Sequence, residues 1–175
     1  PRFMPRTPID VLPVERTSFS LNRMQRPYFV DKTLILSELF PFVESGNSHI
    51  CITRPRRFGK TEMTNMKGAF FEKDEDTKEI FDQLKISKSP EYEKHRNKHD
   101  VIYIDFSEMP RGCRNYQEYI LRIQDGLIRD IEEAYPELEI KSDAAVWDIL
   151  SHVFDKTGDK FVFVMDEWDA VFHMS

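Results

Sequence analysis

The chain has 175 residues, 40 % hydrophobic and 13 % aromatic, enough for one packed domain and too apolar for wholesale disorder. Its 25 lysines and arginines against 31 acids give a net charge of −6, which argues against a general nucleic-acid coat and leaves room only for a local basic patch. No apolar run approaches the ~20 residues of a bilayer span. The N-terminus lacks a hydrophobic signal core and the two cysteines are too few for a disulfide framework, so a cytoplasmic protein is expected.

Residues 1–27 are rich in proline and arginine without a sustained period and read as an extended or partly disordered leader. Asp31 is placed to cap a helix carrying Leu34, Ile35, Leu39 and Phe42, which Pro41 is expected to kink or end. Residues 48–54 form a short β-branched run and predict a buried strand, with Cys51 as a reduced core thiol. The spacing of Met63, Met66, Ala69 and Phe70 predicts a helix over 60–71. Charge dominates from Glu72 to Asp100. A short helix is expected near Phe81 and Leu84, and 86–99 reads as a solvated loop.

"VIYIDF" at 101–106 predicts a second strand, apolar enough to be covered on both faces. A long amphipathic helix follows over 115–135, with Tyr116, Ile120, Ile123, Leu127 and Ile131 inward. Another begins at a Ser142 or Asp143 cap and stops at Gly158, with Trp147 in the core. "FVFVMDEWD" at 161–169 predicts a third strand that runs into acids. This order implies an α/β fold with parallel strands joined by helical crossovers. The five histidines form no metal-binding spacing with the cysteines and read as ordinary.

The stretch "RPRRFGKTE" carries the chemistry. A phosphate-binding loop needs backbone N–H groups converging at a helix N-terminus, a lysine toward the β- and γ-phosphates, and a hydroxyl for Mg²⁺. Gly59, Lys60 and Thr61 fill the end of that pattern, whereas Arg54 stands where the first glycine belongs. Pro55 can supply a fixed turn in its place, and Arg56 and Arg57 add positive charge. The cradle then runs over Arg54, Pro55, Arg56, Arg57, Phe58, Gly59, Lys60, Thr61 and Glu62. The alternative is a basic turn, or arginines that meet a nucleic-acid backbone. A second element favours the nucleotide: Asp166 at a strand end can hold Mg²⁺ with Thr61, while Glu167 can polarise the attacking water.

With these stretches in order, "PYFVDKTLIL", "ITRPRRFGKTEMTNMKGAFF" and "FVMDEWDAVF", the sequence resembles the predicted AAA-ATPase-like proteins from about residue 18 onward. "VIYIDFSEM" is similar to that family's middle strand, and arginine in place of the first loop glycine is the family's own form. The resemblance implies a three-layer P-loop NTPase with a mainly parallel sheet, Walker A and Walker B elements, and ATP and Mg²⁺ as cofactors. It implies Lys60 and Glu167 as catalytic residues and Thr61 and Asp166 as metal ligands. Trp168 stands where the family usually has tyrosine. The Asp31-Lys32-Thr33 segment matches too, either as a helix cap or as a contact near the nucleotide.

Residues 1–47 are thus expected to form a leader and capping helix, and 48–175 the N-terminal part of the NTPase core, cut before its last strands. In the branch with adjacent Asp-Glu acids, a later strand separates the loop strand from the acid strand, so this chain alone is expected to be a poor ATPase. In the kinase–GTPase branch the two strands are neighbours and nothing would be lacking. Family members with a nuclease-like domain suggest an attached or partner domain, and a homo-oligomer is possible. A non-hydrolysing nucleotide sensor and an inactive paralogue are the alternatives to an ATPase.

Overall fold

The computed structural model describes residues 9–10, 29–46, 49–52, 59–74, 76–106, 113–140 and 144–169, with the backbone only at 9–10 and 60. They divide into two compact units, Glu15–Asp100 and Pro1–Val14 with Val101–Ser175. Helices and parallel-paired strands alternate along the chain, an α/β architecture. Among the described residues no helix is long and apolar enough to cross a membrane.

In the unit Glu15–Asp100, helix α1 (Ile35–Ser45) buries Leu36, Leu39 and Phe40, an i, i+3, i+4 stripe. Of the apolar residues that the sequence places here, Leu39 is buried, whereas Leu34 is 51 % and Phe42 47 % exposed. Asp31 and Thr33 fix the chain just before the helix. The Asp31 carboxylate accepts the Thr33 N–H at 2.9 Å and the Lys85 N–H at 2.7 Å, and the Thr33 hydroxyl accepts the Ile86 N–H at 3.2 Å. The start of α1 is therefore tied to the 3-10 turn Lys85–Lys88. Burial alone would raise the Asp31 carboxyl, but the Thr33 and Lys85 hydrogen bonds outweigh it and hold it below the usual range. Pro41 does not stop the helix, which runs on to a left-handed Gly46. Pro41 is exposed, so water can serve the carbonyl that its missing N–H leaves without a donor.

Helix α2 (Lys60–Phe71) follows the spacing argument, with Met63, Met66, Ala69 and Phe70 buried. Two single-turn helices come next, α3 (Lys78–Phe81) and α4 (Tyr92–His95). The solvated loop expected over 86–99 is corrected: Ile86, Tyr92 and His95 are buried there. Charged residues separate them, and their spacing carries the core contacts. Phe70 is the hub of an aromatic cluster, 5.1 Å from Phe81, 5.2 Å from Phe71 and 5.9 Å from Phe40 between ring centroids. Such pairs add ~0.5–1.5 kcal/mol each beyond burial.

The C-terminal carbonyls of α2 are fully used. Asn97 N–H bonds the Phe70 carbonyl at 2.8 Å, His99 N–H bonds that of Phe71 at 2.9 Å, and the Asn97 amide reaches Glu72 at 2.7 Å. Asn97 adopts a left-handed backbone, φ 53°, which asparagine tolerates better than most residues.

The strand expected over 48–54 is not found at 49–52, where Ile50 is 45 % exposed and Cys51 lies at the surface. Apolar alternation makes a strand only where a partner ladder takes its N–H and C=O groups, and among the described residues none pairs there.

The other unit is built on a three-stranded sheet in the order β1 (Ile9–Asp10), β2 (Asp100–Asp105), β3 (Phe161–Asp166). The leader thus contributes a strand, parallel to β2, with Ile9 opposite Ile102. The Phe106 N–H donates to the Asp166 carbonyl at 3.1 Å. That bond joins the C-terminal ends of β2 and β3, so these strands also run the same way, as helical crossovers require.

Helix α5 (Tyr116–Ala134) packs Tyr119, Ile123, Leu127 and Ile131 with Ile102 and Ile104, and α6 (Val146–Thr157) adds Ile149 and Val153. Asn115 caps α5 through the Glu118 N–H at 3.0 Å, and the Glu118 carboxylate reaches back to the Arg114 N–H at 2.8 Å. Two inward residues are corrected. Tyr116 is 45 % and Trp147 77 % exposed, because each lies in the first turn of its helix, away from the stripe that meets the sheet. The Ser142 or Asp143 cap falls outside the described residues, and α6 starts after Ala145. Gly158 ends it in the left-handed conformation that its position predicted.

Candidate functional site

Of the residues expected to bind phosphate, Gly59, Lys60, Thr61 and Glu62 lie at the start of α2. Arg54, Pro55, Arg56, Arg57 and Phe58 lie outside the described residues. Gly59 has φ 76° and ψ 37° and immediately precedes the helix. A Cβ there would sit 4.0 Å from that of Glu62, an ordinary contact, so backbone conformation rather than space calls for glycine. Lys60 opens α2, and Thr61 and Glu62 occupy its exposed first turn. Met63 donates to the Gly59 carbonyl at 3.1 Å, the first α-helical bond. The N–H groups of Lys60, Thr61 and Glu62 precede it at the positive end of the helix dipole, where an anion is favoured. The Asn97 and His99 bonds hold the opposite end of this twelve-residue helix.

The acids gather at the end of β3. Asp166 is its last residue and is buried, and its Oδ1 accepts the Glu167 N–H at 3.0 Å. Glu167 takes a left-handed backbone, φ 48°. Non-glycine residues pay roughly 1–3 kcal/mol for such conformations, which concentrate at functional sites. Glu167 is half-buried, and Trp168 beyond it is 49 % exposed.

Sequence reasoning passed over one neighbour. Asp105 ends β2 as Asp166 ends β3, and the Phe106–Asp166 bond puts the two residues opposite each other in a parallel register. Burial raises the Tyr103 hydroxyl, and the charges of Asp166 and Asp105 raise it further, so both carboxylates act on the face that bears Tyr103. The signal was present: "YIDF" closes an apolar run with an acid, as "VMDE" does.

Thr61 carries a hydroxyl and Asp166 a carboxylate, each by itself an oxygen donor of the kind Mg²⁺ takes. Mg²⁺ fills most of its shell with water and substrate phosphate, so few protein oxygens are needed. Among the described residues no group of three or more His, Cys, Asp or Glu could hold a metal ion. The helix cap expected of Asp31 is corrected: the N-cap position of α1 is Leu34 with no side-chain cap bond, while Asp31 and Thr33 bind the backbone amides of Thr33, Lys85 and Ile86, and Lys32 is exposed.

A family model described as Predicted AAA-ATPase matches residues 13–174. The chain belongs to the predicted AAA-ATPase family. No curated protein and no solved structure matched it. The AAA-ATPase match runs through Gly59–Glu62 and through Asp166 and Glu167, and it supports a nucleotide-associated, ATPase-like domain.

Proposed function

We propose that the chain is the ATP-binding part of an Mg²⁺-dependent ATPase with a three-layer P-loop fold. The start of α2 carries this reading: a left-handed Gly59, then Lys60 and Thr61 on the first turn of a firmly anchored helix. In this reading the Gly59–Glu62 backbone receives phosphate oxygens, and Lys60 adds a point charge. The Glu62 carboxylate would repel phosphate, so its contribution is its N–H. Thr61 and Asp166 are the metal ligands. Bound Mg²⁺ would neutralise charge developing on the phosphates. Glu167 accepts a proton from the attacking water, and its left-handed backbone is the kind of conformation that concentrates at functional sites. The output passes as a conformational change to an attached or partner domain.

Calorimetric titration with Mg-ATP, together with phosphate release, tests the reading. Lys60→Ala should abolish detectable binding. Glu167→Gln should keep binding while lowering turnover by about 10²–10⁴-fold, the range for losing a general base. Binding with no turnover in the wild type would leave a nucleotide sensor. Absence of binding would end the nucleotide reading.

A further inference from the structure

Glu44, His95 and His99 form a hydrogen-bonded chain inside the unit Glu15–Asp100. His95 is 2 % exposed, with its ring stacked on Phe40 at 4.3 Å and on His99 at 5.3 Å. Its Nε2 lies 3.1 Å from Glu44 Oε1 and its Nδ1 3.1 Å from His99 Nε2. An ionised carboxylate only accepts, so His95 donates to it from Nε2, and with that ring neutral its Nδ1 accepts. His99 must then donate from Nε2. Each ring spends one proton and the chain runs His99 to His95 to Glu44.

The chain bears on α2 through the backbone. His99 N–H holds the Phe71 carbonyl, Lys73 N–H holds the His99 carbonyl at 2.9 Å, and Glu72 and His99 form a parallel bridge. The charged groups around the pair are Glu44 and Lys94, which are bonded to each other, buried Glu72, and the Lys73–Asp100 ion pair at 2.5 Å. Phe40 and Phe71 supply its apolar walls. Protonating both rings would set two N–H donors against each other at 3.1 Å. A single added proton either reverses a tautomer or puts a charge in the aromatic cluster.

We propose that Glu44, His95 and His99 are a proton-operated latch, closed while the His99 imidazole is neutral, whose transient opening becomes more frequent at mildly acidic pH and frees the C-terminal end of α2. Burial first, and then the neighbouring His95, push His99 down to about 4, consistent with a ring held neutral. Hydrogen bonds from Lys94 and then His95 hold Glu44 below its ordinary range, so the acceptor end stays ionised. The latch does not depend on the nucleotide reading, since it concerns only how α2 is anchored.

Amide hydrogen exchange on the full chain, corrected for intrinsic rates, tests it at Asn97, His99 and Lys73. Protection should fall by at least about tenfold between about pH 7.5 and pH 5, because the open state binds protons the closed state refuses. His99→Gln keeps a side-chain N–H donor and cannot titrate, so its protection should be flat over that range. Unchanged wild-type protection, or an equal loss in the variant, overturns the latch. Should His99→Gln not fold, imidazole ¹⁵N spectra of the wild type decide. An Nε2–H tautomer at His95 with His99 neutral at about pH 5 supports the latch, and both rings titrating near an ordinary ~6.5 refutes it.

Discussion

The two units reach their stability by different routes. The unit Val101–Ser175, with its short β1, rests an aliphatic helix face on a sheet: Ile123, Leu127 and Ile131 against Ile102 and Ile104. The unit Glu15–Asp100 has no strand pair of its own beyond the Glu72–His99 bridge among the described residues. It is held by an aromatic cluster and by side chains that bind backbone, namely Asp31, Thr33, Thr77 and Asn97. A helix-on-sheet interface tolerates changes of charge, whereas a core stitched by polar side chains responds to pH and to the loss of single hydrogen bonds.

Truncation separates the two routes most strongly. Phe70→Ala removes the hub of the aromatic cluster and should cost ~3–5 kcal/mol, and Ile131→Ala should cost ~2–5 kcal/mol. Chemical denaturation read by hydrogen exchange should show each loss confined to amides of its own unit. If both variants unfold the chain as one cooperative block, the contrast between units fails.

Asn97→Ala removes the bonds to Ala69 and Glu72 and the acceptor for Thr77, and puts alanine at a left-handed position. A loss of ~2–4 kcal/mol is expected on denaturant titration, with each unsatisfied buried partner costing ~1–3 kcal/mol. Asn97→Gly restores the backbone freedom alone and should recover about 1 kcal/mol, the left-handed penalty. No difference between the two variants would show that φ at 97 carries no strain.

Acid should act mainly on the stitched unit. The His99 folded-state value of about 4 lies below the ordinary ~6.5. The unfolded chain therefore binds the extra proton between those values. Stability is fully present above ~6.5, falls as pH drops toward ~4, and levels off below it. Melting curves from pH 7.5 to 4.5 should show this slope in the wild type and a shallower one in His99→Gln. The smallest effect concerns a cap on the other side: Asn115→Ala should cost ~1 kcal/mol, visible as fraying at Glu118 in exchange data.

Legibility in the sequence followed the same division. The helix at 60–71, the strand at 101–106, the start of the strand expected over 161–169 and the Gly158 stop were readable because local spacing and chain stereochemistry decide them. The segment 86–99 misled because its buried residues are scattered singly among charges, and their partners lie on α1 and α2. β1 was invisible for a related reason: two residues carry no period, and only pairing with β2 makes them a strand. At the candidate site, residue types named Asp166, Glu167, Lys60 and Thr61. The left-handed turn at Glu167 and the neighbouring Asp105 needed coordinates.

Trp147 and Trp168 are the only tryptophans in the sequence, and both belong to the Val101–Ser175 unit at 77 % and 49 % exposure. Tryptophan emission from this chain is therefore nearly blind to the phenylalanine-rich half that holds Lys60. Trp147, already largely in water, also shifts colour little on denaturation. An optical melt would miss the loosening of α2, whereas Trp168, one residue after Glu167, is well placed to register events at the acids.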